Sequence, residues 1–225
     1  MKGNGRSAAD FLPDERSLGP LRDAARECRG CDLWKLGTQT VFGEGIAHAP
    51  LMLVGEQPGD EEDLKGRPFV GPAGRLLDRA LAEAGIERRD AYVTNVVKHF
   101  KWEPRGKRRI HKKPTEMEAR ACSPWLAAEI DAVRPRVLLC LGATAARQLL
   151  GRGVSVTRQR GEWIDSPLAP HVGVTLHPSA LLRITDSEER SEAFAAYVED
   201  FKWVSGALAT PTSATRSTPA RRGRR

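Results

Sequence analysis

Four short apolar runs, at residues 51–54, 91–97, 137–141 and 171–176, are separated by stretches whose apolar residues recur at helical spacing. Runs of this length, without alternation, suit strands buried on both faces, and strands alternating with helices favour parallel pairing. The pattern predicts a mainly parallel sheet covered by helices on both sides. Helices are expected over 17–27, 73–84, 115–133, 143–150 and 188–203, the third opened by the capping pair Thr115 and Glu118. A short strand at 40–42 and a hairpin over 154–163 complete the expected elements. At 225 residues and 40% hydrophobic, one domain is expected. The expected domain spans 17–205, between a flexible start (1–16) and a disordered basic tail (206–225).

The first apolar run leads into the longest connection with chemical content, Gly55-Glu56-Gln57-Pro58-Gly59-Asp60-Glu61-Glu62-Asp63 and then Gly66-Arg67-Pro68-Phe69-Val70-Gly71-Pro72-Ala73-Gly74. It reads as a loop at the carboxyl end of a strand, where open α/β sheets bind ligands. It carries five acids, four glycines beyond Gly55 and one aromatic ring, Phe69. Such a loop can bring backbone and a flat ring against a small planar ligand. It has neither Gly-x-Gly-x-x-Gly nor a lysine-bearing phosphate loop, so a nucleotide-phosphate cradle is not indicated.

The net charge of +7 is unevenly placed. Residues 98–113 hold eight Lys/Arg against the single acid Glu103, and residues 216–225 add five arginines, while the rest of the chain has more acid than base. In the first segment aromatics interleave with cations, as suits phosphates and unstacked bases. The start lacks the apolar core of a secretory signal, and no run approaches the roughly 20 apolar residues of a membrane span. A cytoplasmic, monomeric protein that does not engage membranes is the expectation.

Cysteines number four: Cys28 and Cys31 in a C-x-x-C, then Cys122 and Cys140. The last two are too far apart for the second half of a zinc ribbon, so as a set the four favour iron-sulfur ligation over generic zinc or free thiols. Cys140 alone would read as a small buried hydrophobe.

Gly55-Glu56-Gln57-Pro58-Gly59, Pro68-Phe69-Val70-Gly71, Thr94-Asn95-Val96-Val97-Lys98, the four cysteines and His177-Pro178-Ser179 together resemble the iron-sulfur uracil-DNA glycosylases. Gln57, in place of the alanine usual in family-four enzymes, and the insert Lys107-Arg108-Arg109-Ile110-His111 resemble the X family, whose members attach covalently to uracil-containing DNA. The resemblance implies a three-layer α/β/α fold with a central, mainly parallel four-stranded sheet and a 4Fe-4S cluster on Cys28, Cys31, Cys122 and Cys140. It implies excision of uracil from single-stranded and duplex DNA, followed by a stable bond between His111 and the C1′ of the abasic sugar. The alternatives are an ordinary turnover glycosylase and a noncatalytic binder of uracil or single strands.

In this reading His111 is the nucleophile, Glu56 its activating carboxylate and His177 the donor to the departing base. Phe69 stacks on the extruded uracil and Asn95 reads its edge. Gly55, Gln57, Asp60, Ser179 and Arg183 complete the substrate site, and Lys107, Arg108 and Arg109 contact DNA.

Overall fold

The structure, a computed structural model, describes residues 7–210. Four strands, β1 (Leu51–Gly55), β2 (Ala91–Asn95), β5 (Val137–Leu141) and β6 (His171–Thr175), form a wholly parallel sheet in the order β2-β1-β5-β6. The first three of these strands are buried along their whole length, as their unbroken apolar runs require. Alternate side chains feed two cores. Met52, Val54, Tyr92, Leu138 and Cys140 pack with α1 (Leu18–Ala25), α4 (Glu116–Val133) and α5 (Ala143–Leu150). Leu51, Leu53, Val93, Leu139 and Leu141 pack with α3 (Pro72–Glu83) and α8 (Ser187–Ala209). The expected three layers are present.

The strand order fixes where a ligand can sit. From β1 the chain crosses to β2 on one side, then returns past β1 to β5 on the other, so connections leaving β1 and β5 diverge and open a crevice at their carboxyl ends.

Several local expectations are corrected. The loop after β1 contains a helix, α2 (Asp60–Lys65), whose four acids in the first turn suit the positive helix end, with Gly66 closing it at φ 68°. The basic segment folds into an antiparallel hairpin, β3 (Trp102–Arg105) and β4 (Arg108–His111), which turns at Gly106 with φ 60°. The strand expected at 40–42 is extended loop tied by Val41 N–H to the Lys98 carbonyl (2.8 Å). Residues 154–163 form no hairpin but the short helix α6 (Val156–Gln159), and only Ile164 bridges to Val172. The last short helix, α7 (Pro178–Leu181), follows β6.

The start expected to be flexible is anchored from Ser7, which caps a 3-10 turn at Ala8–Phe11, with Ala8 buried in the α4 core. The final helix runs to Ala209, past the expected end at 203. The arginines of the basic tail lie outside the described residues. Among the described residues no helix is long and apolar enough to cross a membrane.

Candidate functional site

The crevice is a cleft of about 800 Å³ lined from every strand end: Glu56 and Gln57 after β1, Asn95 at the end of β2, Gly142 and Thr144 after β5, and His177 after β6. Phe69, Asp60, Ser179, Arg183 and, from the hairpin, His111 close it. Except for Gly55, which stands behind it, the sequence-predicted pocket residues meet here.

Gly55 is required by crowding. A Cβ there would collide with Asn95 Oδ1 and come within 2.7 Å of Phe69 Cζ. The missing side chain lets the Phe69 ring and the Asn95 amide meet across the end of β1. Phe69 is buried and sits at φ 56°, a left-handed conformation that costs a non-glycine residue roughly 1–2 kcal/mol. Strain of this kind persists where the surroundings over-determine it, and here it fixes the ring 6.2 Å from the His177 ring centre.

Asn95 is 3% exposed, and its Oδ1 is wholly buried with no hydrogen-bond partner. An orphaned acceptor costs about 1–3 kcal/mol, and among the described residues Asn95 is the cleft-lining side chain that carries one.

His177 accepts a hydrogen bond at Nδ1 from the Ser179 backbone N–H (3.2 Å), and the Ser179 hydroxyl is 2.8 Å from the same nitrogen. A backbone N–H can only donate, so Nδ1 carries the lone pair and the ring proton resides on Nε2. Burial, reinforced by His111 and Arg183, lowers its pKa to about 4, so the ring is neutral near pH 7. It is a neutral N–H donor, the state suited to an oxygen on which negative charge gathers.

His111 is half-buried, with Nε2 3.4 Å from Glu56 Oε1. Burial lowers its pKa, the Glu56 carboxylate opposes that shift, and Arg183 adds to it. The other Glu56 oxygen accepts a hydrogen bond from the Thr144 hydroxyl. The pair is an imidazole beside an oriented carboxylate, the arrangement of a nucleophile with its base.

A model of the uracil DNA glycosylase superfamily matches residues 42–202. The chain belongs to that superfamily. It is 43% identical to the type-4 uracil-DNA glycosylase of Thermotoga maritima over 78% of this chain and 88% of the relative. The type-4 uracil-DNA glycosylase of Sulfurisphaera tokodaii is 36% identical over 87% and 86%, and the type-5 uracil-DNA glycosylase of Pyrobaculum aerophilum 30% over 73% and 76%. The matched span begins at Phe42 and takes in every strand of the central sheet together with the hairpin.

Within this superfamily fold the hairpin is held by polar latches. Gln57, expected to finish the pocket with its amide, instead turns that amide to the hairpin stem: Nε2 donates to the Lys101 and Lys112 carbonyls and Oε1 accepts from Lys101 N–H, all at 3.1 Å. Arg109, expected to meet DNA, is turned inward to Asp60 and to the buried Asp63 (2.6 Å). Asp63 also accepts from Thr38 N–H at 2.9 Å. A guanidinium shared by two carboxylates is already neutralised, so Arg109 anchors β4 and leaves Arg105, Lys107 and Arg108 exposed around the turn and without an ion-pair partner among the described residues. Sequence reasoning missed Thr144 and left the role of Asp63 open; no local pattern marks either, because their partners lie 88 and 46 residues away.

The cysteines divide three to one. Burial pushes Cys122 up to about 12, with Lys98 opposing and Cys31 and Cys28 adding. Burial also raises Cys31, and Cys28 contributes. These three sulfurs sense one another. Cys140, also at about 12, is raised by burial alone and sits mid-strand in β5 beside Val54 and Val174. Among the described residues no three His, Cys, Asp or Glu side chains are placed to hold a metal ion. Cys28, Cys31 and Cys122 thus influence one another and Cys140 does not, which sets Cys140 apart among the candidate ligands. Cys140 is the small core hydrophobe of the alternative reading, and a cluster on Cys28, Cys31 and Cys122 would take its fourth donor elsewhere.

Proposed function

We propose that this protein excises uracil from DNA and that His111 then captures the abasic sugar. The observation that carries the first part is the unpartnered Asn95 Oδ1, buried beside the Phe69 ring and across from a neutral imidazole N–H. Uracil offers what this site lacks. Its N3–H can donate to Oδ1, its O4 can accept from the Asn95 amide nitrogen, and its flat ring can lie against Phe69. A base must leave the stack to enter such a pocket.

Cleavage breaks the bond between C1′ and N1, and the electron pair leaves with uracil. Charge spreads to the O2 oxygen, where the His177 Nε2 proton is the available donor. A charged imidazolium would be a stronger acid, but burial beside Arg183 disfavours it.

In the capture step the lone pair of His111 Nε2 forms the bond to C1′, the resulting imidazolium sheds its Nδ1 proton to solvent, and Glu56 stays ionised and steadies the positive charge. The reading is supported by the neutral ring, the oriented carboxylate at 3.4 Å and the latches that hold β4 at the pocket mouth. The product lacks a second acid placed to protonate the new bond's nitrogen, so turnover is single.

Ordinary turnover is favoured by another observation, the 43% identity to a type-4 glycosylase over most of this chain. In that reading Glu56, held by Thr144, directs water to C1′, and the half-buried His111 leaves room for it. A uracil-containing single strand run on a denaturing gel separates the two. Self-trapping gives a slow band stable to heat and detergent that His111→Ser abolishes while uracil is still released. Uracil release with many turnovers and no slow band establishes the hydrolytic reading, and binding without release leaves neither.

A 4Fe-4S cluster is part of the same proposal, with Cys28, Cys31 and Cys122 as the thiolates. Glycosidic cleavage transfers no electron, so the role left for such a group is to tie residues 28–31 to α4.

A further inference from the structure

Beneath the pocket floor, toward α4, lies an ion pair that the proposed chemistry does not use. Lys98 and Glu129 meet with side chains 1% and 0% exposed. Glu129 also accepts from Gly43 N–H (3.0 Å), the Tyr92 hydroxyl (2.9 Å) and the Thr94 hydroxyl (2.9 Å). Lys98 Nζ donates to Glu129, to Thr94 Oγ1 (2.6 Å) and to the backbone carbonyl of Asn95 (2.7 Å). An ammonium has three protons, and all three are engaged. Lys98 is therefore withdrawn from the phosphate-facing cations among which its sequence position sets it.

Burying two charges carries a desolvation penalty of several kcal/mol per ion, and an apolar pair of similar volume often packs as well. Packing alone thus gives no reason for this pair. What an ammonium supplies that a methyl group would not is a grip on the Asn95 carbonyl, at the residue where β2 leaves the sheet. The next peptide is held by Val96 N–H to the Gly55 carbonyl (3.0 Å). The Asn95 side-chain oxygen has no protein partner, so its bearing is set from the backbone and from contact with its neighbours. Lys98 is held in turn, its backbone N–H donating to Cys122 Sγ (3.4 Å).

We infer that Lys98 is a positioning residue for base selection: anchored by Glu129, it fixes the main chain of Asn95 and so aims the amide that reads the base. The inference rests on the base-reading role of Asn95 proposed above. The test is a double-mutant cycle on single-turnover uracil release from a single strand, using Lys98→Met, Asn95→Ala and the double variant, with thermal melting run in parallel. Lys98→Met alone should slow release roughly ten- to a hundredfold, as a misplaced reacting group does. In the Asn95→Ala background it should add no more than about twofold, within the scatter of uncoupled sites, while lowering the melting temperature equally in both backgrounds.

Losses that multiply would make Lys98 structural only and overturn the inference while leaving Asn95 as reader. An Asn95→Ala protein that releases uracil normally would remove the base-reading role and the inference with it. Should Lys98→Met fail to fold because Glu129 is left as a lone buried charge, the same cycle is run with Lys98→Met/Glu129→Gln.

Discussion

The base pocket and the hairpin at its mouth are built by different physics. Asn95 and His177 hang from strand ends and Phe69, between α2 and α3, packs into one of the cores those strands fill, so moving them means moving the sheet. His111 sits at the base of a two-stranded ribbon with mostly exposed side chains, opposite Trp102 and away from the Gly106 turn, and the ribbon is fixed by Gln57, Arg109 and the Trp102 Nε1–H bond to the Leu36 carbonyl. An isolated two-stranded hairpin is marginal in water, so those latches decide where His111 stands. Recognition is thus built into the core, whereas the capture proposed for His111 would hang on a few polar bonds that can be cut singly.

The largest expected break is on the pocket side. His177→Ala removes the donor aimed at the leaving base and should lower the rate of uracil release roughly a hundred- to a thousandfold in a single-turnover assay. Adduct formation should fall in step, since capture requires departure. A variant that still formed adduct at the normal rate would place the donor elsewhere.

An intermediate effect is expected at the latch. Gln57→Ala removes three hydrogen bonds from the hairpin stem and none from the pocket's own groups. Adduct formation on a denaturing gel should slow roughly ten- to a hundredfold through misplacement of His111, while uracil release stays near that of the unaltered protein. Equal losses in both would mean that the hairpin and pocket are not separable.

The smallest effect lies in stability against pH. The His177 ring refuses a proton until about pH 4, whereas the unfolded chain takes one near 6.5. The unfolded state therefore binds more protons between those values, and stability is lost as pH falls through that window. Melting temperature should drop by a few degrees from pH 6.5 to 4, and His177→Asn should flatten the slope more than His111→Asn does, because His111 remains half-exposed. Equal flattening would erase the difference in burial on which the comparison rests.

The sheet and its covering helices were readable because their information is local: each apolar run is a strand buried on both faces, and each helix shows its own periodicity and caps. Part of the pocket lies close to those runs, Asn95 inside one and Glu56 and His177 one or two positions beyond, whereas Phe69, Arg183 and His111 were assigned through the family resemblance. The hairpin was not readable, since Arg108-Arg109-Ile110-His111 has no strand alternation and its stability comes from Gln57, Asp60 and Asp63, more than 40 residues away. The partners of Gln57 and Arg109 were not foreseen for that reason: each was assigned to the ligand, and its hydrogen bonds are made inside the protein. Cys140 was grouped with the other three thiols because a count of four carries no distances. In a sheet strand, direction matters, and this one points into packed hydrocarbon beside Val54 and Val174.

The hairpin begins at Lys101 and ends at Lys112, and those two residues are bonded to each other (2.9 Å) as well as to Gln57. Its two ends thus enter and leave the protein at adjacent points. A segment with that property is a portable cassette: it can be shortened to a tight turn, or grafted with its glutamine onto a relative lacking it, without changing the register of any sheet strand. The capacity to retain a substrate could therefore be gained or lost as a unit, independent of the capacity to recognise one.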